Sequence, residues 1–458
     1  MGERLVVVGG DAGGMAAATQ ARRRRPDLEI VALEKGRWTS YSACGIPFLV
    51  GGEVAGLDDL VARDPQTFRD RFNIDVRTGH EVTAVDLDAR KVEVRDHNHD
   101  RTFSLGFDLL HLATGALPYR PDLPGIDGDQ VHGVQNLEDA ARLLDCLAGA
   151  DASDVVVVGG GYIGLEMAEA FVRRGSATVT VVERDGEVMG ALDPDMGALV
   201  AEAMRRFGID VRTGVAVVGF EPGVVHTSAG DLRADLVVLG LGVVPNTALA
   251  AGSGIETGVK GAVVVDTRQH TSAAGVWAAG DCCASFHLVS RRAVHAPLGT
   301  VANKQGRVAG INLGGGYATF PGVVGTAVTK ICSSEVARTG LQEKEAARAG
   351  LEWEAVRITS TTRAGYFPGT GRITVKMLAE KGTGRLLGAQ LVGGEGAAKR
   401  IDVLATALTA GMTVTEVIDL DLSYAPPFSP VWDPVLVAAR EAARAIEGRT
   451  GEMSRDAP

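Results

Sequence analysis

Aromatic residues make up only 5% of this 458-residue chain, and cysteine occurs five times. The cysteines (Cys44, Cys146, Cys282, Cys283 and Cys332) are odd in number and have no C-x-x-C or metal-type spacing. That argues against a disulfide framework and against a zinc site. Basic charge is also short: 46 Lys and Arg stand against 57 Asp and Glu, for a net charge of −11. Nucleic acid and anionic membranes both need a dense basic face to displace counterions, so neither partner is expected and small-molecule chemistry fits better. No apolar run approaches the roughly twenty residues that span a bilayer. The chain enters a β-branched run, Leu5 to Val8, rather than a secretory h-region, so the expected location is the cytoplasm.

Glycine, by contrast, is plentiful: 60 residues, spread through apolar runs. This suits an α/β protein rich in tight strand-to-helix turns, and the length predicts two to four domains. The run Arg4 to Val8 is followed by Gly9-Gly10-Asp11-Ala12-Gly13-Gly14 and an Ala-rich helix from Met15 to about Arg24. A second strand from Glu29 ends in Glu34, about twenty residues past the turn, where a carboxylate meets a ribose hydroxyl in dinucleotide-binding folds. The motif departs from G-x-G-x-x-G at its middle glycine, which is Asp11. The basic run Arg22 to Arg25 reads as a dipole-matched helix end, with contact to a phosphate-bearing substrate as the alternative. Short alternating strands follow, including Glu81 to Val85, and an apolar strand closes in Ala113-Thr114-Gly115.

The pattern then repeats with all three glycines. Val155 to Val158 leads into Gly159-Gly160-Gly161-Tyr162-Ile163-Gly164, a helix, and a strand ending in Glu183. The three glycines serve in turn to reverse the chain, to admit a pyrophosphate and to pack helix on strand. Glu183 would accept from a ribose 2′-hydroxyl and repel a 2′-phosphate, which favours NADH over NADPH, and Arg184 tempers that preference. After the run ending at Gly242 the chain is expected to return to the first unit. Thr271 to Asp281 reads as strand, turn and helix start, with Asp281 placed to bond a polyol and Cys282 and Cys283 packing that helix start. From about Gly325, strands and helices predict a separate α+β domain. It carries Tyr366 and Tyr424 in Gly- and Pro-rich loops.

Cys44 sits in Ser40-Tyr41-Ser42-Ala43-Cys44-Gly45-Ile46-Pro47-Phe48, among small and turn-forming residues that let a thiolate approach a planar ligand. Together with the two Gly-rich turns, Ala113-Thr114-Gly115, Ala279-Gly280-Asp281 and Tyr424-Ala425-Pro426-Pro427-Phe428-Ser429, this segment resembles the single-cysteine flavoprotein disulfide reductases. The branch is the one that contains coenzyme A-disulfide reductases, NADH-dependent polysulfide or persulfide reductases and some NADH oxidases.

The resemblance implies two Rossmann-like dinucleotide-binding domains plus a C-terminal α+β dimerisation domain. FAD would occupy 1–118 and 247–324, NAD(P)H 119–246, and the homodimer contact 325–446, with 447–458 a disordered tail. It extends the FAD residues to Lys35, Val82, Gly280, Pro297 and Leu298, and the NAD(P)H residues to Gly242. It makes Cys44 the redox cysteine, has Tyr424 and Tyr366 help thiols leave, and lines a coenzyme A route with Gln20, Arg23, Ser40 and Asn303. Thr39 stands where two-cysteine relatives have their second cysteine, no histidine follows His295, and Ala12 replaces the histidine of peroxide-handling relatives. Phe72 and Trp432 replace lysines that meet coenzyme A phosphates in some relatives. The expected activity is transfer of electrons from NADH, with NADPH possible, through FAD and Cys44 to a small disulfide, a polysulfide or a persulfide. An NADH oxidase using oxygen at the flavin and a non-catalytic NADH-binding redox sensor are the alternatives.

Overall fold

The computed structural model describes residues 2–149 and 152–448. Its first sheet is fully parallel, in the order Val276–Ala278, Leu109–Leu112, Arg4–Val8, Glu29–Glu34, Asp75–Thr78. The second, Asp210–Thr213, Thr178–Glu183, Asp154–Val158, Leu236–Leu239, Val131–His132, is also parallel. Both put a β-branched strand at the centre, buried on both faces, which is why it reads as an unbroken apolar run. Each central strand delivers a Gly-rich turn at its carboxyl end, and the neighbouring strand ends beside that turn in Glu34 or Glu183. The helices begin inside the turns, at Ala12 and Tyr162, a few residues earlier than the apolar pattern alone predicts.

The two units meet in an antiparallel ribbon of Ala116–Pro118 with Val243–Pro245. The ribbon is tied further by the Thr114 hydroxyl donating to the Asn246 carbonyl (2.5 Å) and the Asn246 amide donating to the Thr114 carbonyl (3.2 Å). The third layer is an antiparallel sheet in the order Ala327–Ile331, Ser334–Gly340, Leu386–Gly393, Arg372–Glu380, Trp353–Thr361. Helices Ile401–Ala410 and Pro434–Ile446 close its core. One apolar cluster joins Ile46, Leu49 and Val50, just past Cys44, to the second sheet's core and to Ile331, Cys332 and Val336 of the third. A buried Lys376 ammonium adds a polar lock, meeting Asp193 (3.2 Å), Asp195 (2.7 Å) and Glu343.

Three local expectations change. Thr271 to Asp281 does not start a helix: strand Val276–Ala278 runs into a hairpin, Ala284–His287 with Arg292–His295, and the helix waits until Gly299. Cys282 and Cys283 do pack, but at the foot of this hairpin, where both are buried. Strands Ser334–Gly340 and Leu386–Gly393 and the helix Pro434–Ile446 are additions that the sequence pattern does not announce. Of the expected tail, Glu447 and Gly448 form the turn that follows that last helix and the rest lies outside the described residues.

Candidate active site

Gly9 and Gly159 each adopt φ +107°, a conformation L side chains rarely take. A Cβ on Gly9 would lie 2.1 Å from the Ala113 carbonyl oxygen, and one on Gly159 2.5 Å from that of Gly240. Gly14 and Gly164 are as tight, so the helices start in contact with the turns and leave their first N–H groups facing outward, a ready cradle for a pyrophosphate. Glu34 accepts from the backbone N–H of Gly10 (2.6 Å) and Gly36 (2.7 Å). Glu183 accepts in the same way from Gly160 (2.7 Å) and Asp185 (2.8 Å). Burial pushes the Glu34 carboxyl above its ordinary range.

Around the first turn, Lys35 pairs with Glu81 (2.8 Å) beside Val82 in the small antiparallel sheet. Gly280 donates to the buried Gln305 side chain (2.9 Å), which fixes the turn that presents Asp281. One Asp281 oxygen, Oδ1, is buried with no partner, and burial raises this carboxyl to about 6. An unsatisfied acceptor of that kind suits a ligand rich in hydroxyls. Pro297 and Leu298 precede the helix Gly299–Leu313. That helix lies directly on Ala12–Arg24: a Cβ on Gly306 would meet the Gly13 carbonyl oxygen at 2.3 Å. Around the second turn the Tyr162 hydroxyl is likewise buried and unpartnered, Ile163 follows it, Gly242 turns at φ +83° and Arg184 is exposed.

Cys44 is the exposed member of the five cysteines. Its segment is pinned on two sides. The Ser40 N–H donates to the Gly10 carbonyl (3.0 Å) and the Tyr41 N–H to Asp11 Oδ1 (3.2 Å), while the Ser40 carbonyl accepts from Ala62 (2.9 Å). Ser40 takes φ +50°, uncommon for a non-glycine residue. Partial burial raises the Cys44 thiol above its usual pKa, and the Glu166 carboxylate of helix Tyr162–Arg174 adds to the rise. Glu166 is itself raised by burial and accepts from the Thr329 hydroxyl.

A cavity of about 330 Å³ opens beside this segment, lined in part by Ala12, Gln20, Ser40, Asn303, Arg63, Lys304 and Arg307. Three of the four residues expected on the substrate route are brought together here. Arg23 lies one turn beyond Gln20 on the same helix, exposed and outside the lining. Of the basic run, Arg22 donates to the Arg25, Pro26 and Asn73 carbonyls, and Arg25 pairs with Glu3 and Asp27. Both close off the helix end. Tyr366 and Tyr424 are both exposed and neighbour one another, desolvation and the Tyr366 hydroxyl together raising Tyr424. Phe72 packs on Phe68, and Arg440 sits over the Trp432 ring (4.8 Å).

The sequence reading missed Arg63, Lys304, Arg307, Gln305 and Glu166. The i, i+4 spacing of Asn303 and Arg307 placed both on one helix face and was a usable signal. Arg63 joins only through the strand-like bridge of Tyr41 with Val61, which no local pattern announces.

Comparison with known proteins gives a consistent picture. The family model described as pyridine nucleotide-disulphide oxidoreductase matches residues 3–306, and that family's dimerisation domain matches 326–434. An NAD(P)H sulfur oxidoreductase (CoA-dependent) of Pyrococcus abyssi is 37% identical over 95% of this chain and 97% of its own. An NADH oxidase of Methanocaldococcus jannaschii is 34% identical over 97% and 100%. The solved NAD-dependent persulfide reductase from A. fulgidus is 39% identical, with a TM-score of 0.94 over 97% of this chain and 84% of that one.

Proposed function

Because the chain belongs to the pyridine nucleotide-disulphide oxidoreductase family, we propose that it is an FAD-dependent, NAD(P)H-consuming reductase of low-molecular-weight disulfides, polysulfides or persulfides, working through Cys44. The observation that carries this reading is the placement of Cys44: exposed, and in a segment that is pinned to the first phosphate turn and whose Ser40 lines a cavity with three cations. Arg63, Lys304 and Arg307 supply positive charge that Phe72 and Trp432 do not, so a phosphate-bearing thiol such as coenzyme A suits the cavity. The CoA-dependent relative agrees with that choice.

We assign FAD to 1–118 with 247–324, held by Gly9, Gly10, Asp11, Ala12, Gly13, Gly14, Glu34, Lys35, Val82, Ala113, Thr114, Gly115, Gly280, Asp281, Pro297 and Leu298. The unpartnered Asp281 oxygen and the Gly9 cradle fit it. NAD(P)H is assigned to 119–246, and 325–446 to a homodimer contact. When bound, FAD supplies the two-electron relay that connects the pyridine nucleotide to Cys44.

The chain's own residues do the sulfur chemistry. The Cys44 thiolate attacks one sulfur of the bound disulfide, the S–S bond breaks, and one thiolate leaves as Cys44 forms a mixed disulfide with the other half. Reaching across the proposed homodimer contact, Tyr424 or Tyr366 gives the leaving thiolate at the partner's active site its proton. Two electrons delivered to the mixed disulfide free the second thiol and restore the Cys44 thiolate. Ala12, a methyl in the first phosphate turn that lines the cavity, offers no proton carrier for peroxide chemistry, which favours a thiol acceptor over oxygen. Anaerobic NADH oxidation with coenzyme A disulfide and then polysulfide, wild type against Cys44→Ser, tests the reading. We expect a loss of at least about a thousandfold. Full turnover by Cys44→Ser, or NADH loss only in air, would sink it.

A further inference from the structure

Asp11 occupies the N-cap of helix Ala12–Arg24, yet its side chain makes no cap bond there. An Asp at an N-cap normally satisfies the N–H of N2 or N3. Here Oδ1 is turned across to the Tyr41 N–H, while one residue back the Ser40 N–H is held by the Gly10 carbonyl. Three residues on from Tyr41 the chain reaches Cys44. We propose that Asp11 is a positioning residue for Cys44, its carboxylate clasping the cysteine's segment to the phosphate turn while its charge restrains the thiol.

The proposal rests on the reading of Cys44 as the redox cysteine and adds a device that the Gly-rich motif does not require. The geometry carries the clasp, and the charge effect follows from it. The clasp is a backbone-to-carboxylate bond in a half-buried place, where a charged acceptor is worth more than a neutral one. After partial burial, the charges of three carboxylates raise the Cys44 thiol: Glu166 of helix Tyr162–Arg174, Asp281 of the turn after strand Val276–Ala278, and Asp11 of the phosphate turn. Arg63, Lys304 and Arg307 line the cavity on the substrate side, so an arriving anion meets cations while the resting thiol meets carboxylates. Burial first, and then the charges of Glu34 and Asp281, raise the Asp11 carboxyl to about 6, against the Tyr41 N–H, whose bond favours the charged form.

The test uses FAD-loaded enzyme reduced with NADH, with alkylation of Cys44 by iodoacetamide followed by mass spectrometry across pH. Asp11→Asn keeps an oxygen for the Tyr41 N–H and removes the charge. Alkylation at pH 7 should run at least about threefold faster than in wild type, with the whole profile moved toward acid. Asp11→Gly removes charge and clasp together and should lower kcat by about tenfold, more than Asp11→Asn does. If Asp11→Gly fails to retain FAD, Asp11→Ser, whose hydroxyl oxygen can still accept, takes its place, and its loss should lie between the other two. An Asp11→Asn profile superimposed on wild type, or equal kcat in Asp11→Gly and wild type, overturns the assignment. The alkylation arm needs no acceptor, so it stays readable whatever Cys44→Ser shows about turnover.

Discussion

The two phosphate turns share the backbone features that build a cradle and differ in the side chains of their third, fourth and fifth positions. Gly9 matches Gly159 in φ, Gly14 matches Gly164 in the carbonyl it would strike, and Glu34 matches Glu183 in the two N–H groups it accepts. Of the three departures, Asp11 against Gly161 is the one that bonds the cysteine segment. At Gly161 nothing approaches a Cβ more closely than 3.9 Å, so the space is left open. At Asp11 the same space is spanned by a carboxylate that reaches the cysteine segment. The second unit also addresses Cys44, but through its helix, which packs on Ile46–Val50 and carries Glu166. A repeated scaffold thus converges on one sulfur by two routes, and only one of them runs through the turn.

Breaking each turn in isolation should give the largest effects. A methyl on Gly14 or Gly164 would sit 1.9 or 2.0 Å from a carbonyl oxygen, an overlap costing about 3 kcal/mol or more. Gly14→Ala should purify without flavin absorbance. Gly164→Ala should stay yellow and lose NADH-driven flavin reduction by at least about a hundredfold in stopped flow. Colourless Gly164→Ala protein would mean that the halves do not fold independently enough for the comparison to stand.

A pH arm separates the halves next. The Asp281 carboxyl is raised from 3.8 to about 6 by burial, so its charged form is disfavoured in the folded protein. The penalty is fully present above about pH 6 and gone below about 4, so stability from this group rises as pH falls through that window. FAD-free Asp281→Asn should be more stable than wild type by about 2 kcal/mol at pH 7 in urea unfolding, with the difference closing by pH 4. A constant difference across pH would show that the shift is not electrostatic.

Writing the first turn's side chain into the second sharpens the contrast further. Gly161→Asp brings a carboxylate toward the pyrophosphate and should raise the KM for NADH about tenfold while FAD content stays unchanged. The smallest effect is expected at Glu183→Ala, which removes an acceptor for the ribose 2′-hydroxyl and a repulsion for a 2′-phosphate. The ratio of kcat/KM for NADH over NADPH should fall by several-fold, about 1 kcal/mol.

Much of this was legible in the chain. Gly9 to Gly14 and Gly159 to Gly164 declare themselves because a turn tight enough to place a helix on a phosphate permits little besides glycine. Glu34 and Glu183 follow at the length of one helix and one strand. Gln20, Ser40 and Asn303 come from three separate stretches of sequence, and only the family resemblance linked them before the cavity did. What stayed hidden is long-range. Arg63 reaches the cavity through pairing of Tyr41 with Val61, and Glu166 comes near Cys44 because one domain's helix packs on another's loop. The hairpin after Asp281 reads as a helix start because Cys282-Cys283-Ala284-Ser285 carries no periodicity long enough to tell strand from helix. The strand Leu386–Gly393 is buried along nearly its whole length, so it lacks the alternation that marks a half-exposed strand.

The ribbon of Ala116–Pro118 with Val243–Pro245 has an architectural consequence. Pro118 and Val243 are directly opposed, and opposed residues in an antiparallel pair lie only about 5 Å apart. Everything between them is therefore an insertion whose two covalent connections to the host lie side by side, and a two-residue hairpin turn would reconnect the host chain after excision, at the cost of the apolar cluster it shares with Ile46–Val50. Duplicating one nucleotide-binding unit and inserting the copy into a surface loop of the original would produce this connectivity in a single event. The same doorway would let a cassette with a different nucleotide preference be exchanged, so long as it kept the packing on Ile46–Val50 and the Asp193 and Asp195 partners of Lys376.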